Sequence, residues 1–268
     1  MVIVPAIGRI LRFAPAGGPN LLWENSDLWG QHAPPAAERR DWANFGGDKI
    51  WPAPQERWSW PPDPWLDGSP YACTIRQDNS VRMASPVSPR TQLRIVRTVR
   101  LDPRRLMLTL ENRLENHGPT PVEWAVWEVA QLEDPEWVEM PRSVKRFAPG
   151  FRLFPDTPDP GKSVSTSSDA VKARRNTTHA YKIGSDAAIT RVHACKGTWV
   201  FTIEGPGRRE APYPDAGCNV EIYSNPDPLT YMEAEVLGPL ETIPPGGAAA
   251  MKTVWFLSRN RATRRNDP

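Results

Sequence analysis

The sequence Leu93-Arg-Ile-Val-Arg-Thr-Val-Arg-Leu-Asp-Pro-Arg-Arg-Leu-Met-Leu-Thr-Leu110 alternates apolar and polar side chains on both sides of a turn that contains proline. Leu93, Ile95 and Val99 share one face of an extended chain, whereas Arg94 and Thr98 share the other. A period of two is the pattern of a half-buried β-strand. The segment therefore predicts a β-hairpin with its turn at residues 102–105.

Several other segments alternate in the same way. The turn Asn116-His-Gly-Pro119 precedes a strand that runs from Val122 to Gln131. Further strands are predicted at Val2 to Val4, Arg9 to Phe13, Trp199 to Glu204, Asn219 to Tyr223, Thr230 to Val236 and Met251 to Leu257. We expect long ordered loops over residues 14–70 and a mobile Ser/Thr-rich loop over 161–178.

The composition excludes several classes of protein. Proline accounts for 31 of the 268 residues, which argues against a helical bundle because proline inside a helix costs about 3 kcal/mol. The 33 basic and 31 acidic residues nearly cancel, so we expect neither nucleic acid nor an anionic membrane as partner. The sequence contains no run of 18 apolar residues, and we therefore expect a soluble protein.

Motifs for metals and cofactors are missing from the sequence. The three cysteines show no C-x-x-C spacing, and the four histidines assemble no metal pattern. No phosphate loop, dinucleotide fingerprint or nucleophile elbow occurs. We predict no metal and no cofactor.

We expect a single domain over residues 1–258, followed by a flexible basic tail over 259–268. The chain begins inside a strand pattern, which leaves open an additional strand or segment upstream. The compartment stays open for the same reason: cytoplasmic as given, or periplasmic or secreted if a segment precedes.

Aromatic residues and hydrogen-bonding groups alternate between Trp42 and Pro62. The segment includes Asp48, Lys49, Trp51 and Gln55 after the pair Gly46-Gly47, and seven tryptophans occur between positions 23 and 65. A pyranose presents an apolar C–H face that stacks on an indole and a rim of hydroxyl groups that need donors and acceptors. The segment is typical of a sugar site, and the alternative is that these tryptophans fill the core.

A second candidate lies near the carboxyl end of the chain. Tyr231, Glu233 and Glu235 share one face of a predicted strand, and the opposite face is apolar. Two carboxylates on one face are suited to acid or base chemistry, to binding sugar hydroxyls, or to pairing with a lysine or arginine. The alternative is an ordinary solvated strand face.

Five sequence blocks resemble a bacterial family of unknown function with a galactose-mutarotase-like fold. The blocks are Pro5-Ala-Ile-Gly-Arg-Ile, Asn20-Leu-Leu-Trp-Glu-Asn, Gly46-Gly-Asp-Lys-Ile-Trp-Pro-Ala-Pro-Gln55, Trp124-Ala-Val-Trp127 through Gln131-Leu, and Tyr231-Met-Glu-Ala-Glu-Val-Leu-Gly-Pro with Pro244-Pro-Gly-Gly. The resemblance implies an all-β fold with few short helices, an antiparallel β-supersandwich whose concave face binds carbohydrate.

The resemblance to aldose 1-epimerases within that fold is partial. Glu233 is similar to their catalytic base, Glu235 stands where they carry a glutamine, and Lys49 lies near the position of a sugar-binding arginine. At Trp127 the sequence departs, since the epimerases carry in this region a histidine that protonates the ring oxygen. Without that acid the sugar ring would not readily open.

We therefore expect a carbohydrate-binding protein with no metal, its site formed by Asp48, Lys49, Trp51, Gln55, Trp127, Gln131, Tyr231, Glu233 and Glu235. One alternative is a sugar epimerase or other sugar-active enzyme that uses Glu233 as base and Lys49 or Glu235 as acid. A second is a structural or partner-binding sandwich. We also expect Lys49 and Glu233 to face the same cleft. If that cleft is wet, their attraction need not contribute much stability, and Lys49→Ala should then weaken ligand binding more than folding.

Overall fold

The computed structural model describes residues 1–32, 41–58, 60–102, 104–143, 146–207 and 210–260. Of the predicted basic tail, only Arg259 and Asn260 fall within these ranges. The strands in this part of the chain are β1 (Val2–Val4), β2 (Arg9–Arg12), β3 (Asp48–Ala53), β4 (Ala72–Ile75), β5 (Val81–Ala84), β6 (Leu93–Asp102), β7 (Met107–Asn116), β8 (Val122–Glu133), β9 (Trp137–Pro141), β10 (Arg152–Leu153), β11 (Val164–Thr166), β12 (Ala170–Ala173), β13 (Tyr181–Ser185), β14 (Arg191–Lys196), β15 (Trp199–Glu204), β16 (Val220–Ser224), β17 (Tyr231–Leu237), β18 (Glu241–Ile243) and β19 (Ala248–Arg259).

The strands form two antiparallel sheets. The first sheet has the order β1-β2-β3-β8-β17-β16-β13-β10, and β18 pairs with the beginning of β8. The second has the order β11-β12-β9-β14-β15-β19-β7-β6-β5-β4. Within the described ranges, helical structure is confined to short 3₁₀ turns at Pro5–Ile7, Ser26–Leu28, Gln55–Arg57 and Gly161–Ser163 and to one left-handed turn at Pro214–Gly217. The predicted all-β class is confirmed.

The predicted hairpin is present as β6 and β7. Its register runs from the pair Leu93–Asn116 to the pair Asp102–Met107. The predicted strands after it correspond to β8, β15, β16, β17 and β19. Period-two alternation located these strands because each of them places one face against the core.

Two segments that the sequence assigns to loops contain strands. Within residues 14–70, β3 pairs with β8 from Asp48 opposite Ala130 to Ala53 opposite Ala125. Its Pro52 lacks an N–H, but beyond Asp48 no described strand pairs with the other edge of β3, so no ladder hydrogen bond is lost there. Within residues 161–178, β11 and β12 form an edge hairpin. Its Ser/Thr-rich sequence reflects an outer face that stays in solvent.

The core between the sheets is largely apolar, and it contains a charged network. Arg97 on β6 pairs with the carboxylate of Asp48 on β3, and its Nη1 donates to the Asp48 carbonyl over 3.1 Å. The Arg97 Nε donates to Asn112 Oδ1 on β7 over 3.1 Å. Both ionic side chains are fully buried. The network therefore links the second sheet to the start of β3.

Glu128 on β8 is the other charged member of this network. Asn112 Nδ2 and Thr253 Oγ1 each donate to its Oε2 over 2.7 Å, and Trp255 Nε1 donates to its Oε1 over 2.7 Å. Burial raises the pKa of Glu128 to about 7, the Asp48 carboxylate adds to the effect, and the donors oppose it. The folded protein therefore holds this proton at pH values where an exposed glutamate has lost it.

We predict that the free energy of unfolding falls as pH rises from about 4.5 to about 7. In that range the unfolded state releases the Glu128 proton while the folded state keeps it, and the loss for a shift of this size is roughly 3 kcal/mol. Glu128→Gln removes this pH-dependent contribution. The amide NH₂ of the new glutamine would also face one of the three hydrogen-bond donors, which lowers stability at every pH. Urea unfolding at several pH values measures both slopes. Equal slopes for the two proteins would contradict the assignment.

Candidate functional site

Five neighbouring strands of the first sheet carry polar and aromatic side chains on the face opposite the core. β3 contributes Lys49 and Trp51, and β8 contributes Trp127. The remaining residues of this face are Tyr231, Glu233 and Glu235 on β17, Glu221 and Tyr223 on β16, and Lys182 on β13. Because side chains alternate along a strand, the neighbours of these residues within each strand point to the core side of the sheet.

A cavity of about 610 Å³ lies over this face. We call it the first chamber. It is lined by Trp42, Asn44, Trp51, Gln55, Trp60, Trp127, Phe154, Pro155, Asp156, Thr157, Lys182, Tyr223, Asn225, Leu229, Tyr231, Glu233 and Glu235. The strands supply its floor, and loop residues on either side supply its walls.

Trp51 is the centre of the aromatic part of the chamber. Its ring meets Trp42, Trp58 and Trp127 edge-on, with centroids 5.9, 5.8 and 5.2 Å away. Trp51 is 5% exposed, whereas Trp60 is 56% exposed. The Nε1–H of Trp51 has no hydrogen-bond partner among the described residues. The aromatic cluster thus lies partly buried and partly open, outside the core between the sheets.

The turn that leads into β3 requires its two glycines. Gly46 and Gly47 both have left-handed φ values, of 85° and 72°. A Cβ on Gly46 would overlap the carbonyl of Trp23, and one on Gly47 would overlap the carbonyl of Ile10. This sharp turn places Lys49 and Trp51 on the chamber side of the sheet.

Lys49 and Glu233 form a buried ion pair, although 184 positions separate them in sequence. The distance from Lys49 Nζ to Glu233 Oε1 is 3.0 Å, and the side chains are only 2% and 10% exposed. Burial raises the pKa of Glu233 against the effect of Lys49, and burial lowers the pKa of Lys49. The predicted pairing is confirmed, but the pair is nearly dry rather than in a wet cleft.

A second charged cluster lies beside the first. Lys182 Nζ is 2.6 Å from Glu221 Oε2 and 2.9 Å from Glu235 Oε2, and the same Glu235 oxygen accepts a hydrogen bond of 2.7 Å from Trp127 Nε1. Burial disfavours the charged lysine, but the two carboxylates raise the pKa of Lys182 above its ordinary value. Lys182 also lies 4.4 Å from the centroid of Trp127. The cluster fixes the orientation of the indole in the floor.

Three of the predicted site residues do not line the chamber. Asp48 projects to the opposite side of β3, where it pairs with Arg97 in the core. Gln131 is fully buried opposite Glu233 in the strand pairing, and Lys49 lies beneath the Glu233 carboxylate. The prediction for Asp48 was therefore wrong: its side chain lies on the core face of β3, and the next residue, Lys49, lies on the chamber face. The predicted residues that line the chamber together are Trp51, Gln55, Trp127, Tyr231, Glu233 and Glu235.

Sequence reasoning missed part of the charged floor. Lys182 alternates with core residues in β13, and Glu221 and Tyr223 alternate with Val220 and Ile222 in β16. The period-two signal was present in both strands. Alternation does not distinguish a polar face that forms a cavity from a polar face that meets solvent, so it did not identify these residues as part of a site.

Comparisons with known proteins agree with this architecture. The profile of DUF4380, a domain of unknown function, matches residues 1–143. A galactose mutarotase-like protein from Lactobacillus casei superposes with a TM-score of 0.59 at 9% identity, covering 96% of each chain. A galactose mutarotase related enzyme from Lactobacillus acidophilus gives 0.60 at 8% identity, covering 96% of this chain and 93% of its own. Among curated proteins no sequence matches.

A TPR-domain containing protein from Parabacteroides distasonis also superposes, with a TM-score of 0.59 at 14% identity. The match covers 96% of this chain but spans only 44% of that protein. Identities this low show the fold alone, which is galactose-mutarotase-like. Within the described residues there is no group of three metal-ligating side chains and no helix long and apolar enough to cross a membrane.

The buried position of Lys49 and Glu233 gives a prediction for stability. Lys49→Met leaves the Glu233 carboxylate buried without its partner, so we expect a loss of about 3–5 kcal/mol, and the double variant with Glu233→Gln should recover most of it. Glu123→Gln breaks the exposed pair with Arg57 and should cost less than about 1 kcal/mol. Urea unfolding measures all three variants. Equal small losses for Lys49→Met and Glu123→Gln would show that the Lys49 pair is wet.

Proposed function

The chain belongs to the DUF4380 family of unknown function, and we propose that it binds carbohydrate in the first chamber. The observation that carries the proposal is the combination, in one cavity of about 610 Å³, of aromatic rings with fixed carboxylate and ammonium groups. Ligand pockets of this size bury most of a small ligand. The fold that the chain shares with galactose mutarotase-like proteins supports the same class of ligand.

The aromatic residues would provide the apolar contact. Trp60 is the most exposed ring of the chamber, and it stands edge-on to Trp42, with ring centroids 5.1 Å apart. A pyranose C–H face that stacks on such a ring replaces water without leaving polar groups unpaired. Tyr223 and Tyr231 would supply a second apolar wall at the other end of the strands.

The polar residues would bind the hydroxyl groups. Glu233 is held by Lys49, and Glu235 is held by Lys182 and Trp127, so both carboxylates are fixed before a ligand arrives. Fixed groups lose little side-chain entropy on binding. Asn44, Gln55 and Asn225 add amide donors and acceptors around the chamber, and Asn44 Oδ1 has no partner among the described residues.

The alternative is a sugar epimerase with Glu233 as base. The raised pKa of Glu233 and its position in the chamber favour this alternative. Against it, the indole of Trp127 stands near where the resemblance places an acidic histidine, and its N–H already donates to Glu235. A general acid accelerates such a reaction about 10²–10⁴-fold. Polarimetry decides the matter, since mutarotation abolished by Glu233→Gln would establish the enzyme.

We predict that a saccharide from a panel of neutral and acidic mono- and oligosaccharides changes tryptophan emission and binds by calorimetry at millimolar concentration or below. Trp60→Ala should weaken binding about tenfold, the equivalent of about 1.4 kcal/mol of stacking. The matched control is Trp29→Ala, because Trp29 is 66% exposed and does not line the chamber. If no saccharide binds, the structural or partner-binding sandwich becomes the better account. If both variants weaken binding equally, the site is elsewhere.

A further inference from the structure

A second cavity of about 470 Å³ adjoins the first chamber. We call it the second chamber. It adds four residues that the first lacks: Glu56, Trp58, Arg152 and Asp215. The two chambers share six lining residues, which are Gln55, Trp127, Phe154, Pro155, Asp156 and Lys182. Because they share this much lining, the two chambers adjoin, and we call them together the groove.

We propose that the ligand of this groove is a neutral oligosaccharide of at least two sugar units, with one unit in each chamber. The proposal rests on the proposed function, because it names the length and charge of the carbohydrate. A single pyranose in the first chamber would leave the second chamber filled only with water. Trp127 and Lys182 line both chambers, so the glycosidic bond would pass over them.

The second chamber has the same kind of lining as the first. Trp58 supplies an aromatic ring, held by a hydrogen bond of 2.9 Å from its Nε1 to the Pro52 carbonyl. Arg152 lies over the ring of Phe154, with its guanidinium carbon 4.6 Å from the centroid, and it lines the second chamber. An aromatic ring beside a charged donor is suited to a second sugar ring.

The backbone at the rim of the second chamber is unusual. Asp215 and Ala216 both have left-handed φ values, of 53° and 59°, and Gly217 follows with 99°. A non-glycine residue rarely adopts this region, and such residues cluster at functional sites. The turn is held by a hydrogen bond of 2.9 Å from Arg146 Nη1 to the Ala216 carbonyl. It places Asp215 in the lining of the second chamber.

The charges of the groove favour a neutral ligand over an acidic one. Among the residues that the structure describes, its lining contains five carboxylates, which are Glu56, Asp156, Asp215, Glu233 and Glu235, and two cations, Lys182 and Arg152. Lys182 is already paired with carboxylates. A polyuronic acid would add negative charge to a surface that already carries more carboxylates than cations, and like charges repel.

The test compares saccharides that differ only in length. Calorimetry is performed on the full chain with glucose, cellobiose and cellotriose, and with N-acetylglucosamine and its β-1,4-linked dimer and trimer, with glucuronic acid as the acidic probe. We expect the dimer of one series to bind at least about tenfold tighter than its monomer, which corresponds to one or two further hydrogen bonds. Glucuronic acid should bind more weakly than glucose.

Variants of the second chamber distinguish the contribution of this chamber to binding from that of the first chamber. Arg152→Met should bring the affinity for the dimer close to that for the monomer and leave the monomer unchanged. Asp215→Asn, which keeps a residue tolerant of the left-handed conformation, should act in the same direction. The control is Arg105→Met, because Arg105 is exposed and does not line the groove. A melting curve of each variant verifies that it folds.

Three results would overturn this inference. Equal affinities for monomer and dimer, or losses for both in Arg152→Met, would refute the second subsite while the proposed function stands. Tighter binding of glucuronic acid than of glucose would refute the neutral ligand. Binding of no saccharide at all would refute the proposed function together with the inference.

Discussion

Strand β8 buries both of its faces, and the site depends on this constraint. On one face Glu128 lies in the core, where it receives hydrogen bonds from β7 and β19. On the other face Trp127 forms the chamber floor. Because side chains alternate with a period of two, a slip of one residue would exchange the two faces. The buried donors that meet Glu128 hold the register, and thereby hold Trp127, β3 and β17 in place.

The buried charges of the chamber floor are not explained by stability alone. Two lysines and three glutamates are buried beneath and within it, and desolvation of such groups is costly even when they are paired. Replacing such buried ion pairs by well-packed apolar residues often leaves a protein equally stable or makes it more stable. The benefit lies in orientation, because Lys49 fixes Glu233, and Lys182 fixes Glu235 and Trp127. A rigid set of acceptors and rings is the form of surface that binds hydroxyl groups with little loss of entropy.

The sequence predicted nine of the nineteen described strands, and the partners Lys49 and Glu233, because alternation and the Gly-Gly pair are local features. It did not predict β3, since Pro52 and the neighbouring tryptophans resemble a loop, and only the free edge of β3 makes the proline acceptable. It misplaced Asp48, because no local feature states where the first residue after a turn points. It did not identify Lys182 and Glu221 as site residues. Lys182 belongs to the site because it pairs with both Glu221 and Glu235, which are distant from it in sequence.

The indole N–H signals of the protein test the central claim, carbohydrate in the first chamber, most directly. Trp51 packs edge-on against Trp42 and against the exposed ring of Trp60, so a sugar ring bound in the chamber would change the environment of these indoles. A titration of tryptophan-labelled protein with a binding saccharide, followed by ¹⁵N NMR, should shift the signals of Trp51, Trp42 and Trp60 and leave those of Trp29 and Trp255 unchanged. Shifts at Trp29 or Trp255 without shifts at Trp51 would contradict the account.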